Sequence, residues 1–327
     1  MPLGLGGISR ILQGKSGGVP RFPDISSEAK VFYLDPDHAR ATDTNNPGTN
    51  PNKPLSTLAE AYDRLTSNSH DTIRANANSW HELTEMLTWS KSRTHLEFLD
   101  GANRLQTQGG RLRLTGSSGA TNIAALKVTG TRNTFENMKL VNEHTAAESL
   151  YALSSQGEGN YYKNCAFHNI AAQHLTDVDA ASLILSEDGG TFINCDIGAD
   201  TVRTTVAANH TLLISTAAGG SRAKRCIFQN CTILGHTSQS TGNLVAAAAS
   251  SMDRWVLFRD CDFINWDIST GTAMTEAIEA SGSAGEIILV RGGGVFGCTN
   301  VALTASDVRV VGVTSTTTTS LLSVVAN

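Results

Sequence analysis

Two aspartates follow cysteines at matched places in the chain, Asp196 after Cys195 and Asp262 after Cys261. Paired carboxylates on one surface are the groups that cleave glycosidic bonds, one acting as acid and the other as base or nucleophile. The matching places elsewhere hold Ala166 and Thr232, so the expected role of the two acids is outward, solvated decoration. The run Asp35-Pro36-Asp37-His38 gathers cation-binding residue types, but Asp and Pro in that order favour a turn, as does Glu187-Asp188-Gly189-Gly190. Thiolate metal sites need close spacing such as C-x-x-C, and none of the 6 cysteines is so placed. The 9 histidines show no H-x-H or H-E-x-x-H spacing and read as ordinary surface and corner residues. Gly235-His236-Thr237 is an isolated fragment, and neither a phosphate-cradling loop nor a nucleophile elbow is found. The residues therefore point to no catalytic group, metal ligand or cofactor, and the expectation is a protein that is not an enzyme.

Bulk properties narrow the class. Charged residues make up 17% of the 327 positions and the formal net charge is -5, which argues against a broad nucleic-acid footprint. No apolar run approaches the roughly 18 residues needed to cross a bilayer. The opening MPLGLGGISRILQGK lacks a basic start followed by a continuous apolar core, so synthesis in the cytoplasm, without export by the usual route, is expected.

What must position any functional group is a repeat. An aromatic, any residue, Asn or Asp, Cys and an apolar residue two further on recur as Tyr162 to Phe167, Phe192 to Ile197, Phe228 to Ile233 and Phe258 to Phe263. Phe135 to Leu140 carries Met138 in the Cys place, and Val290 to Val295 is a worn copy. The fourth positions fall at 138, 165, 195, 231, 261 and 293, at intervals of 27, 30, 36, 30 and 32 residues. Each copy follows an apolar run ended by Gly or Ser, such as Ala124 to Val128, Ser182 to Leu185 or Leu212 to Ile214. Runs of four to six residues punctuated by Gly and Asn are strands, too short for helices.

A period of this length means stacked coils, each adding to one continuous core. The predicted fold is all-β: a right-handed, single-stranded parallel β-helix of three-strand coils, with a short N-terminal capping helix and an extended N-terminal arm. Equivalent positions then sit about 4.8 Å apart along the rod. Phe192 and Phe228 can stack, and Cys165, Cys195, Cys231 and Cys261 share an inward column with Cys226 close by. Asn tolerates left-handed backbone and can bond the Asn above and below, which explains Asn137, Asn164, Asn194 and Asn230 in one column. Asp260, in the same column, loses a donor.

The segment from Tyr33-Leu34-Asp35 through Asp43, Asn46 and Gly48 to Pro54-Leu55-Ser56-Thr57-Leu58-Ala59-Glu60-Ala61 resembles the opening of pectin-lyase-like β-helix proteins. The resemblance implies a helix that covers the first coil, with Thr57 as cap, Glu60 completing a capping box, and Leu58, Ala61, Tyr62 and Leu65 facing the core. Lyases of that family need acidic calcium ligands and a base, and its hydrolases need clustered carboxylates with His and Lys motifs. This sequence supplies neither set in full. The expected organisation is an arm over 1–32, a capping segment over 33–70 with the first strand beginning at Asp71, and the β-helix over 71–327.

The arm stands outside the repeat. It spaces Leu3, Leu5, Ile8, Ile11, Leu12 and Phe22 with glycines and places Arg10 among them, a composition suited to lying along a partner's surface. A rod with a docking arm, and without a catalytic constellation, suggests a structural virion component, most of all a capsid decoration or cement protein of a bacteriophage. The expected partners are sister subunits in a homotrimer and a major capsid or other virion protein, not nucleic acid or membrane. The second reading is a tailspike-like polysaccharide-binding or depolymerising enzyme, with carbohydrate as partner. Against it stand the short lengths expected before and after the rod.

Overall fold

A computed structural model describes residues 29–99, 111–117, 123–267, 273–280, 285–290, 292–302, 308–311 and 324–325. Among the described residues three long sheets of ten, nine and seven strands form, and every strand pair within them is parallel. One coil shows the plan. Tyr151–Ser155 lies in the seven-stranded sheet, Tyr161–Lys163 in the ten-stranded sheet and Ala166–Asn169 in the nine-stranded sheet. The chain then returns to Ala181–Leu185, directly beside Tyr151–Ser155. The fold is the expected right-handed parallel β-helix.

The core is a set of side-chain columns. Tyr162 and Phe192 stack at 4.6 Å between ring centroids, Phe192 and Phe228 at 4.5 Å, and Phe228 and Phe258 at 4.7 Å. Phe135 joins at 5.1 Å from Tyr162. Such pairs add about 0.5–1.5 kcal/mol each beyond their buried area. Cys165, Cys195, Cys226, Cys231 and Cys261 are free and buried, as is Cys298. Each thiol of the repeat column reaches the preceding coil: the Sγ of Cys195 lies 3.6 Å from the Tyr162 carbonyl and that of Cys231 3.5 Å from Phe192.

The corner column forms as the Asn spacing predicts. Asn137, Asn164, Asn194 and Asn230 take φ of 60°, 52°, 53° and 53°, and Asp260 takes 51°. Asn164 donates to Asn137 Oδ1 at 3.1 Å, Asn194 to Asn164 at 3.2 Å and Asn230 to Asn194 at 2.7 Å, while Asn137 donates to the Phe98 carbonyl at 3.2 Å. Asp260 has no amide with which to continue the series. In the next coil Gly292 takes the corner with φ 76°, where an added Cβ would lie 2.3 Å from Asp260 Oδ1.

Two details differ from expectation. The ten-stranded sheet begins earlier than Asp71, because Val31–Leu34 pairs with Thr72–Asn76. The cap helix is Leu58–Asp63, with Thr57 Oγ1 accepting from the Glu60 amide at 3.3 Å. The reciprocal half of the capping box belongs to Asp43, whose Oδ1 accepts from the Thr57 amide at 3.2 Å. Glu60 instead pairs with Arg64 at 2.7 Å, one helical turn on. Leu58, Ala61, Tyr62 and Leu65 are buried against the first coil as expected.

Candidate functional site

Register lines up Trp80, Arg111, Lys139, Ala166, Asp196, Thr232 and Asp262 on the outer face of the nine-stranded sheet. Asp196 and Asp262 thus share a column, two strands or about 9.6 Å apart, near the upper limit for an acid–base pair acting through water. Their surroundings set them apart. Asp196 is only 4% exposed, so it is not the solvated decoration expected from its place beside Cys195. Lys139 lies on the far side of Ala166, its pKa lowered by burial and by Arg111 and supported in the other direction by Asp200 and Asp196. Asp262 Oδ1 accepts from the Gly294 amide at 2.8 Å. One acid is beneath the surface and the other binds the next coil.

Two exposed indoles lie along this side of the rod. Trp80, in the outermost strand, is 42% exposed and has the guanidinium carbons of Arg111 and Arg113 each 4.4 Å from its ring centroid. Arg113 donates to Glu143 at 3.1 Å and to Glu82. Trp266, 51% exposed, meets His236 with 6.5 Å between rings. His236 belongs to the Gly235-His236-Thr237 fragment, and Thr237 next to it is fixed by Asn265 Oδ1 at 3.1 Å. Geometrically, an exposed ring flanked by guanidinium groups is a platform for a ligand with an apolar face and acidic groups.

The outer face of the seven-stranded sheet is closed. Tyr151, Ile184, Leu213 and Ala246 form a second apolar cluster there, all buried. Burial, then Asp179 and Asp177, pushes the Tyr151 phenol up to about 12. Part of the neighbouring corner lies under a strap at Ala217–Gly220. The Ala218 carbonyl accepts from Gln156 Nε2 at 2.6 Å and from Lys127 Nζ at 3.4 Å, and Ser186 Oγ donates to the Gly219 carbonyl at 2.8 Å. The strap can lie this close because Gly220 has φ 93° and no side chain, and an added Cβ would sit 2.5 Å from Ser186 Oγ.

The remaining sequence candidates resolve as follows. Asp35 to His38 is a turn, closed by the Asp35 carboxylate on the Asp37 amide at 3.2 Å. Among the described residues no three His, Cys, Asp or Glu side chains gather into a group able to hold a metal. The histidines are not uniformly surface residues: His81, His144 and His174 are buried. Burial lowers the pKa of His174 to about 4, and burial followed by Lys139 and Arg111 lowers that of His168 to about 3. Glu187 departs from expectation in another way. Its turn forms as expected, with Asp188 held by Arg225 at 3.0 Å, but the Glu187 side chain points inward and is fully buried. The signal lay in the preceding coil, which has a Tyr in the Phe column and a Ser in the apolar one. The arm residues Leu3, Leu5, Ile8, Arg10, Ile11, Leu12 and Phe22 lie outside the described residues.

Comparison with known proteins places the architecture among enzymes and viral chains alike. Pectate lyase Pel9A matches with a TM-score of 0.54 at 15% identity, over 84% of this chain and 69% of its own. The pectin methylesterase of Aspergillus niger matches with a TM-score of 0.51 at 16% identity, over 87% and 85%. ORF18 of Geobacillus virus E2 matches with a TM-score of 0.50 at 11% identity, over 82% and 53%. The chain has the parallel β-helix fold. At these identities the likeness is one of fold, which hosts many unrelated activities. No family model matches the chain, and no curated protein matches it.

Proposed function

We propose that this chain is a structural rod of a virus particle, a capsid decoration or cement protein held to the shell by the segment preceding Val31. The observation that carries the reading is the fate of the two repeat carboxylates: Asp196 is beneath the surface and Asp262 is bound to the next coil's backbone. Asp196 is withheld from a chain lying along the outer face and one oxygen of Asp262 is taken by backbone, whereas the side-chain ladders run coil to coil. The likeness in fold to the viral ORF18 chain is consistent with this. The proposed assembly is a homotrimer bound to a major capsid or other virion protein.

The test is to purify particles from the source that makes the protein and count copies per particle. A fixed number per shell is expected. A variant lacking residues 1–28 keeps the Lys30 carbonyl that accepts from Thr72 at 2.8 Å, so it should fold and yet fail to attach. Absence of the full-length protein from particles, or full occupancy by the truncated one, would overturn the reading.

A second reading is favoured by Trp80 and its two guanidinium neighbours: a tailspike-like rod that binds or cleaves acidic polysaccharide on this face. Trp80→Ala abolishing glycan retention, with particle attachment unaffected, would support it.

A further inference from the structure

One coil of the rod is polar inside. Where neighbouring coils carry Val128 and Leu185, the register places Ser155. In the aromatic column, between Phe135 and Phe192, it places Tyr162. Both are fully buried. The Tyr162 hydroxyl lies 2.7 Å from Ser155 Oγ, and Ser155 Oγ lies 2.8 Å from Glu187 Oε1. Asn160 donates to Glu187 Oε2 at 3.3 Å, while its own Oδ1 accepts from the Asn133 amide at 3.0 Å. Asn133 Oδ1 in turn accepts from the Thr94 amide at 2.9 Å. A polar thread therefore crosses four coils and ends on a carboxyl group with no access to solvent. Gly190 makes room for it, since an added Cβ there would lie 2.1 Å from Glu187 Oε1.

An ionised carboxylate in such a place is costly unless a cation meets it. The titratable groups facing Glu187 are the Tyr162 phenol, the Cys226 thiol and the Asp188 carboxylate, none of them cationic. Arg225 lies beyond Asp188 and is bound to it. Protonation resolves the conflict by reversing the thread: the carboxyl donates to Ser155 Oγ, and Ser155 passes its own hydrogen to Tyr162.

We propose that Glu187 is a proton lock: the coils from Tyr151 to Ile193 close fully only with this carboxyl protonated, and rising pH loosens them. Burial, opposed by the bonds from Ser155 and Asn160, pushes the carboxyl up to about 8 from its ordinary 4.5. Because the folded value is the higher one, the lock is fully engaged below 4.5 and is lost as pH rises towards about 8. The buried histidines act in the opposite sense, so the test must isolate Glu187.

Amide hydrogen exchange of the full-length protein, corrected for intrinsic rates, reads the lock directly. Protection in Tyr151–Ser155, Tyr161–Lys163 and Ala181–Leu185 should fall by about tenfold per pH unit from about pH 5 to about pH 8, then level off. Glu187→Gln keeps the shape without the titration and should remove that slope. A parent protein without the slope, or a Gln variant that retains it, overturns the proposal. Should the variant not fold, infrared spectroscopy of the parent decides. A protonated-carboxyl band should persist at neutral pH and fade above about pH 8; its absence at neutral pH overturns the proposal.

Discussion

Asn194 donates its side-chain amide to Oδ1 of Asn164 at 3.2 Å while accepting from Asn230 at 2.7 Å. It thus joins three coils from a left-handed corner. Asn194→Ala removes both bonds and puts a Cβ-only residue at φ 53°. A loss of about 1–3 kcal/mol is expected, read from the urea midpoint. Asn50→Ala, which removes only an exposed bond to the Asn52 amide at 2.9 Å, should cost a few tenths of a kcal/mol. Equal losses would mean the ladder carries no stability.

The buried cysteines should be inert in the native rod. All six are buried, which closes access, and burial, then Glu187, pushes the Cys226 thiol up, as burial pushes the Cys298 thiol up to about 12, so thiolate is scarce at those two. Labelling should be slow in buffer and complete in denaturant. Rapid native labelling of Cys165, Cys195, Cys231 and Cys261 together would contradict the inward column.

Asp196→Asn and Asp262→Asn separate the two functional readings. On the structural reading both variants attach to particles as the parent does. Cleavage of an acidic polysaccharide, measured with and without calcium and lost in either variant, would establish the enzymatic reading instead.

Acid should weaken the rod through His174. Its folded pKa of about 4 lies below the ordinary 6.5, so the folded state resists a proton that the unfolded chain accepts. Stability from this group is complete above pH 6.5 and declines as pH falls towards about 4. His174→Gln should make that decline shallower in urea titrations across the same window, by one group's share, since burial also lowers His168 and His210.

The repeat was legible because each column is dominated by one residue type: Phe for the stack, Asn for the corner, Cys behind it. Those positions are fixed by contact with their own kind one coil away, and spacing alone reveals them. The outer faces were not legible in the same way. Asp196 reads as exposed from the alternation of its strand, and only chain from elsewhere makes it buried. Glu187 reads as a turn residue because Asp188, Gly189 and Gly190 beside it are turn residues. Its inward direction depends on Ser155 and Tyr162, 32 and 25 positions away.

In a stack of coils each layer ordinarily feels only the layers next to it, and disturbance fades along the axis. The strap at Ala217–Gly220 breaks that rule. Through the Ala218 carbonyl it ties the coil of Leu213 to Gln156 and to Lys127, past the intervening layers. Opening of the middle coils is therefore expected to be coupled through the strap, while the end coils can fray on their own. Cutting the strap should loosen that coupling and let the middle coils open layer by layer.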